Sequence, residues 1–177
     1  MTAAPLKLRA TDADDMRVIA AVLQDALVPL SDVVYQPRER RFVMVANRFC
    51  WESEGVEPAN LAEPLSGPDG DDGDAAFHEG FQGGPLFERV NCGLRVEQVK
   101  AVRQRGIDPK DRDQILNLLT IDVVPPEPQG AITFVFSGGG AIRLEVAAIA
   151  CHLEDIGEPW PTVWRPKHAL DAADLEG

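Results

Sequence analysis

The sequence predicts an α+β fold: a mostly antiparallel, strongly bent sheet or partly open barrel with one N-terminal helix. Three observations lead there. Residues 130–157, GAITFVFSGGGAIRLEVAAIACHLEDIG, hold two alternating arms around a triple glycine. Further period-2 segments recur along the chain, as expected of strands with one buried face. Only one stretch, near the N-terminus, repeats its apolar residues at three- and four-residue spacings.

Taken in order, Leu6 and Leu8 alternate with Lys7 and Arg9 and predict a short first strand. Thr11 or Asp12 then caps a helix, with Asp14 and Asp15 in the first turn, where carboxylates complement the helix dipole. Met16, Ile19, Ala20, Leu23 and Leu27 form its apolar face, and Pro29 limits it. Val33 and Tyr35 open the next strand. Pro37 to Arg41 make a charged turn, and Phe42, Met44, Ala46, Phe49 and Trp51 return with a phase slip near Asn47.

Beyond the segment 53–86, Val90, Cys92, Leu94 and Val96 share one parity, while Val99 and Val102 shift phase. Gly106 to Asp113 read as a polar connection, and Ile115 to Val124 as a strand closed by Pro125 and Pro126. In the stretch 130–157, Ile132, Phe134 and Phe136 alternate in the first arm and Ile142, Leu144 and Val146 in the second. Gly138, Gly139 and Gly140 between them permit positive φ, so the chain reverses there as a hairpin. A phosphate-cradling loop is excluded, because Ala141 and Ile142 lead into a strand where that motif needs Lys-Ser/Thr and a helix. After Val146 the phase shifts to Ile149, Cys151 and Leu153, read as a bulged strand running into a short turn of helix. Three prolines in EPWPTVWRPKH make regular structure improbable after Gly157.

With 177 residues the prior is a single domain over 1–177, carrying a mobile acidic insertion at 53–86 and a proline-rich tail at 158–177. The net charge is −12, and ten acidic residues with no Lys or Arg between Glu52 and Glu88 supply most of it. Such a balance disfavours nucleic acid and anionic membrane, which need clustered cations. The expected partner is a protein engaged through the acidic loop. No signal-like apolar segment follows MTAAPLKLRATDADD, so a cytoplasmic location is expected.

The expected function is a non-catalytic binding or adaptor module without a cofactor, because no compact catalytic motif is present. Cys50, Cys92 and Cys151 have no CxxC spacing and read as buried small hydrophobes. His78, His152 and His168 lack metal-ligand spacing, and DGDDGD lacks the closing glutamate of a calcium loop. The enzyme alternative is a site near Cys151 and His152 with Glu154 and Asp155. Adjacent strand residues face opposite ways, so that pair needs a bulge or helical turn. A self-assembling subunit is the further alternative. For binding, Arg38, Arg40 and Arg41 suit an anionic group, and Trp160, Trp164 and Arg165 an aromatic and cationic patch.

The segments LKLRATDADDMRVIAAVLQDALVPLSDVVYQPRERRFVMVANRFCWE, ERVNCGLRVEQVKAVRQRGID and FSGGGAIRLEVAAIACHLEDIGEPWPT resemble a proteobacterial family catalogued as domain of unknown function 2948. The resemblance covers the chain apart from the acidic insertion and the last residues, and it implies no site. In architecture the element order resembles the partly open barrel of the pleckstrin-homology superfold, with a split β-sandwich as the alternative.

Overall fold

The computed structural model describes residues 4–53 and 87–166. The expectations about the acidic insertion, His78 and His168 therefore lie outside the described residues, apart from the insertion's first residue, Ser53.

Strand β1 (Lys7–Ala10) leads into helix α1 (Ala13–Val22), whose start is fixed by two reciprocal contacts. The Asp15 N–H donates to Asp12 Oδ1 at 2.8 Å, and the Thr11 N–H donates to Asp15 Oδ2 at 2.9 Å. These satisfy N–H groups that the first turn leaves without intrahelical partners. Met16, Ile19 and Leu23 are buried beneath the helix and its end. Leu27 does not extend the helical stripe; it opens strand β2 (Leu27–Pro29), because Asp25 takes a left-handed φ of 59° that ends helical geometry.

Strands β3 (Val33–Gln36) and β4 (Arg41–Phe49) form the hairpin expected around the charged turn. The phase slip near Asn47 is not a break in β4. Alternation of Phe42, Met44 and Ala46 continues inward to a buried Arg48, while Phe49 is covered on the opposite face by Trp51 and Phe87.

Strands β5 (Phe87–Val96) and β6 (Val99–Arg105) are separated where the sequence shifts phase, with Gln98 at φ 60°. Strands β7 (Ile115–Val124), β8 (Gly130–Phe136) and β9 (Ala141–Val146) follow, and the triple glycine forms the β8–β9 reversal with Gly138 at φ 77° and Gly139 at 86°.

Strand β10 (Cys151–Thr162) corrects two expectations. No helical turn follows Val146; the chain bends at residues 147–148 and re-enters the sheet as β10. Nor do the prolines end regular structure at Gly157. A register shift between Ile156 and Trp160 lets Trp160, Pro161 and Thr162 resume pairing with Arg89, Glu88 and Phe87. This is tolerated because β1 pairs with β10 only over residues 151–154, so the later prolines face an edge with no ladder to complete.

All strand pairs are antiparallel, in the neighbour order β1-β10-β5-β4-β2-β7-β8-β9-β6 with β3 on β4. The sheet path is therefore open, with β1 and β6 at its ends. The start of β6 is held to the β3–β4 hairpin, since the Val99 N–H donates to the Arg40 carbonyl at 2.8 Å and the Tyr35 hydroxyl donates to the Lys100 carbonyl at 3.2 Å. One apolar cluster fills the interior, in which Phe42 stacks on Phe134 with ring centroids 5.7 Å apart. No helix among the described residues is long and apolar enough to cross a membrane.

Candidate functional site

Alternation decides which residues of β1, β10, β5 and β4 face away from the core. Cys151, Leu153, Cys92, Leu94, Val96, Met44 and Ala46 point inward and are buried. The intervening residues lie on the outer face, and pairing aligns them in rows.

One such row runs Arg9, His152, Arg95, Val43, Val34 across β1, β10, β5, β4 and β3. Its neighbour runs Lys7, Glu154, Gly93, Val45. Because Gly93 has no side chain, the second row is hollow at its centre. Ile156 borders that hollow, its Cδ1 lying 3.2 Å from where a Gly93 Cβ would stand. The open space is about 650 Å³, lined by residues that include Lys7, Arg9, Val43, Arg95, His152 and Ile156.

The hollow is cationic on an acidic protein. Lys7 pairs with Glu154 at 2.7 Å, and Arg41 and Arg95 share Glu97 at 2.9 and 3.1 Å. Among the described residues, no carboxylate pairs with Arg9 or with His152. Two guanidinium groups thus flank an imidazole on adjacent strands spaced about 4.8 Å apart.

A second constellation lies inside the sheet. The fully buried Arg48 guanidinium donates from Nε and Nη2 to the two Asp155 carboxylate oxygens, both at 2.8 Å. It also donates from Nη2 and Nη1 to the two Glu52 oxygens at 2.6 and 3.0 Å, and from Nη1 to the Phe49 carbonyl at 3.3 Å. All five guanidinium N–H groups are therefore used. Burial opposes the charge on Arg48, but the hydrogen bonds it donates to Asp155 and Glu52, with the charges of those carboxylates, outweigh it and hold the pKa above its ordinary value. Burial alone would raise the Glu52 pKa; the Arg48 hydrogen bond, a backbone hydrogen bond and the Arg48 charge together reverse this, and the net shift is downward. Asp155 Oδ2 also accepts from the Leu6 N–H at 2.9 Å, so the clamp joins β4, β10 and the residue before β1.

The three thiols are buried. Burial pushes Cys50 up to about 11, and Cys92 and Cys151 to about 12, which disfavours the nucleophilic thiolate. Cys151 points into the core while His152 faces the hollow, so they form no nucleophile–base pair. Among the described residues no group of three His, Cys, Asp or Glu is placed to hold a metal ion.

The expected binding residues fall in different places. Arg38 and Arg40 are exposed at the β3–β4 turn, and Arg41 alone reaches the hollow's border, through Glu97. Trp160 is half-buried opposite Arg89, Trp164 is 78% exposed, and Arg165 is exposed beyond the end of β10. Sequence reasoning missed Arg9, Arg95 and the hollow. The available signal was Gly93 inside an otherwise alternating strand, which marks a weakened strand surface or a close approach.

A family model described as protein of unknown function (DUF2948) matches residues 6–168. The chain belongs to this family. Searches of the curated proteins and of the solved structures each returned no match.

Proposed function

We propose that this member of the family is a non-catalytic binding module, and that the hollow over Gly93 holds an anionic group. The carrying observation is the Arg9–His152–Arg95 row, in which Arg9 and His152 have no carboxylate partner among the described residues. Of the charged residues lining the hollow, Lys7 is paired with Glu154, Arg95 with Glu97 beside it and Asp155 with Arg48, which leaves Arg9 as the cation with no carboxylate partner among the described residues. Guanidinium groups offer paired N–H donors that match carboxylate and phosphate oxygens. A recess with low-dielectric walls strengthens such contacts and concentrates anions.

The binding reading is favoured over catalysis by what faces the recess. Its ionisable groups are cations, one imidazole and ion-paired carboxylates, whereas the thiols lie behind the strands with their pKa values raised by burial.

Thermal unfolding in sodium phosphate against sodium chloride at equal ionic strength tests the proposal. Phosphate is expected to raise Tm through binding to the folded state, and the Arg9→Gln/Arg95→Gln double variant to lose that increment. An equal increment in the variant would place phosphate elsewhere and contradict the proposal.

A further inference from the structure

Resting on that reading, we infer that the anion bound by the cationic row carries an aromatic body, which lies flat on the Gly93 backbone between Val43 and Ile156. The outer face is not uniformly polar. Ile156 is 50% exposed and Val34 47%, although both are large hydrophobic residues, and both lie on the same outer face as Arg9, which has no carboxylate partner among the described residues. Val34 continues the cationic row beyond Val43, while Ile156 stands over Gly93 from the adjoining strand. Apolar surface and unpaired positive charge thus meet at one recess.

Gly93 decides the shape of the recess. Side chains on either side of it, Glu154 on β10 and Val45 on β4, rise from strands about 4.8 Å away. The slot between them is therefore roughly 10 Å across, with the half-buried Gly93 peptide as its floor. That width admits a ring lying parallel to the sheet, and Ile156 supplies one apolar wall. Any side chain at position 93 fills the floor and meets Ile156 Cδ1, 3.2 Å from the Cβ position. The anionic substituent of such a ring then reaches Arg9, His152 and Arg95 in the neighbouring row. Phosphate and carboxylate satisfy the same donors, so the ligand class is an aryl phosphate or aryl carboxylate.

The test measures dissociation constants for inorganic phosphate, phenyl phosphate, acetate and benzoate by amide chemical-shift titration of the full chain. Each aryl anion is expected to bind about fivefold or more tightly than its simple counterpart, equivalent to about 1 kcal/mol for one ring contact. The aryl anions should also shift the amides of Gly93 and Ile156. Gly93→Val, β-branched and suited to a strand, is expected to abolish the aryl preference. Ile156→Ala, which leaves the floor untouched, is expected to reduce it.

Equal affinities for aryl and simple anions, with shifts at Arg9 and His152, would overturn this inference and leave the anion site standing. A preference that persists undiminished in both variants would overturn it as well. Failure of all four anions to perturb this face would overturn the parent reading.

Discussion

Arg48 and Asp155 form a two-pronged ion pair across the interior, Nε to Oδ1 and Nη2 to Oδ2, each at 2.8 Å, with side chains only 1% and 7% exposed. Removing one partner strands the other charge away from water. Arg48→Met is expected to cost about 3–5 kcal/mol in urea unfolding. Asp155→Asn should cost less, since the amide oxygen still accepts. Combining Arg48→Met with Asp155→Leu should destabilise by less than the sum of the two single changes, by about 0.5–3 kcal/mol of coupling. Strict additivity would show that the pair does not act as a unit.

Glu52 gives the clamp an acid limit. Burial pushes its folded pKa up, but the Arg48 hydrogen bond, a backbone hydrogen bond and the Arg48 charge together bring it below the ordinary 4.5. The folded state therefore releases the proton more readily than the unfolded state, and this stabilisation is complete above the unfolded value. It is lost as pH falls from about 4.5 through the lower folded value. With the side chain 48% exposed, its contribution is below about 1 kcal/mol. Glu52→Gln should lower stability at neutral pH, and the gap from the parent should close below pH 4.5. A gap that stays constant from pH 7 to 3 would contradict the assignment.

The thiols supply a test at the other end of the scale. Burial holds Cys50 near 11 and Cys92 and Cys151 near 12, against an ordinary 9.0. At pH 8 iodoacetamide should leave the folded protein unmodified and alkylate all three in urea. Because the unfolded chain loses these protons first, stability should decline as pH rises above 9 towards the folded values. Rapid alkylation of Cys151 in the folded protein would revive the thiol reading.

Much of the sheet was legible locally. Val90, Cys92, Leu94 and Val96 announce an inward face without any knowledge of partners, and the triple glycine marks the β8–β9 reversal. Arg48 was not legible as a clamp, since it stands at an inward position and its partner Asp155 is 107 residues away. The cationic row was hidden for the same reason. Arg9, Arg95 and His152 come from strands far apart in the chain, and only the pairing of β1 with β10 and β10 with β5 brings them together. The prolines misled because their cost depends on which strand edge they face, and that edge is set by the short reach of β1.

The most direct measurement is an amide chemical-shift map of the full chain titrated with inorganic phosphate, repeated on Arg9→Gln/Arg95→Gln and on His152→Gln. The hollow account predicts saturable shifts centred on Arg9, Arg95 and His152, at least tenfold weaker binding in the double variant, and a smaller loss in His152→Gln. Shifts centred instead on Arg38 and Arg40, or unchanged affinity in the double variant, would contradict it.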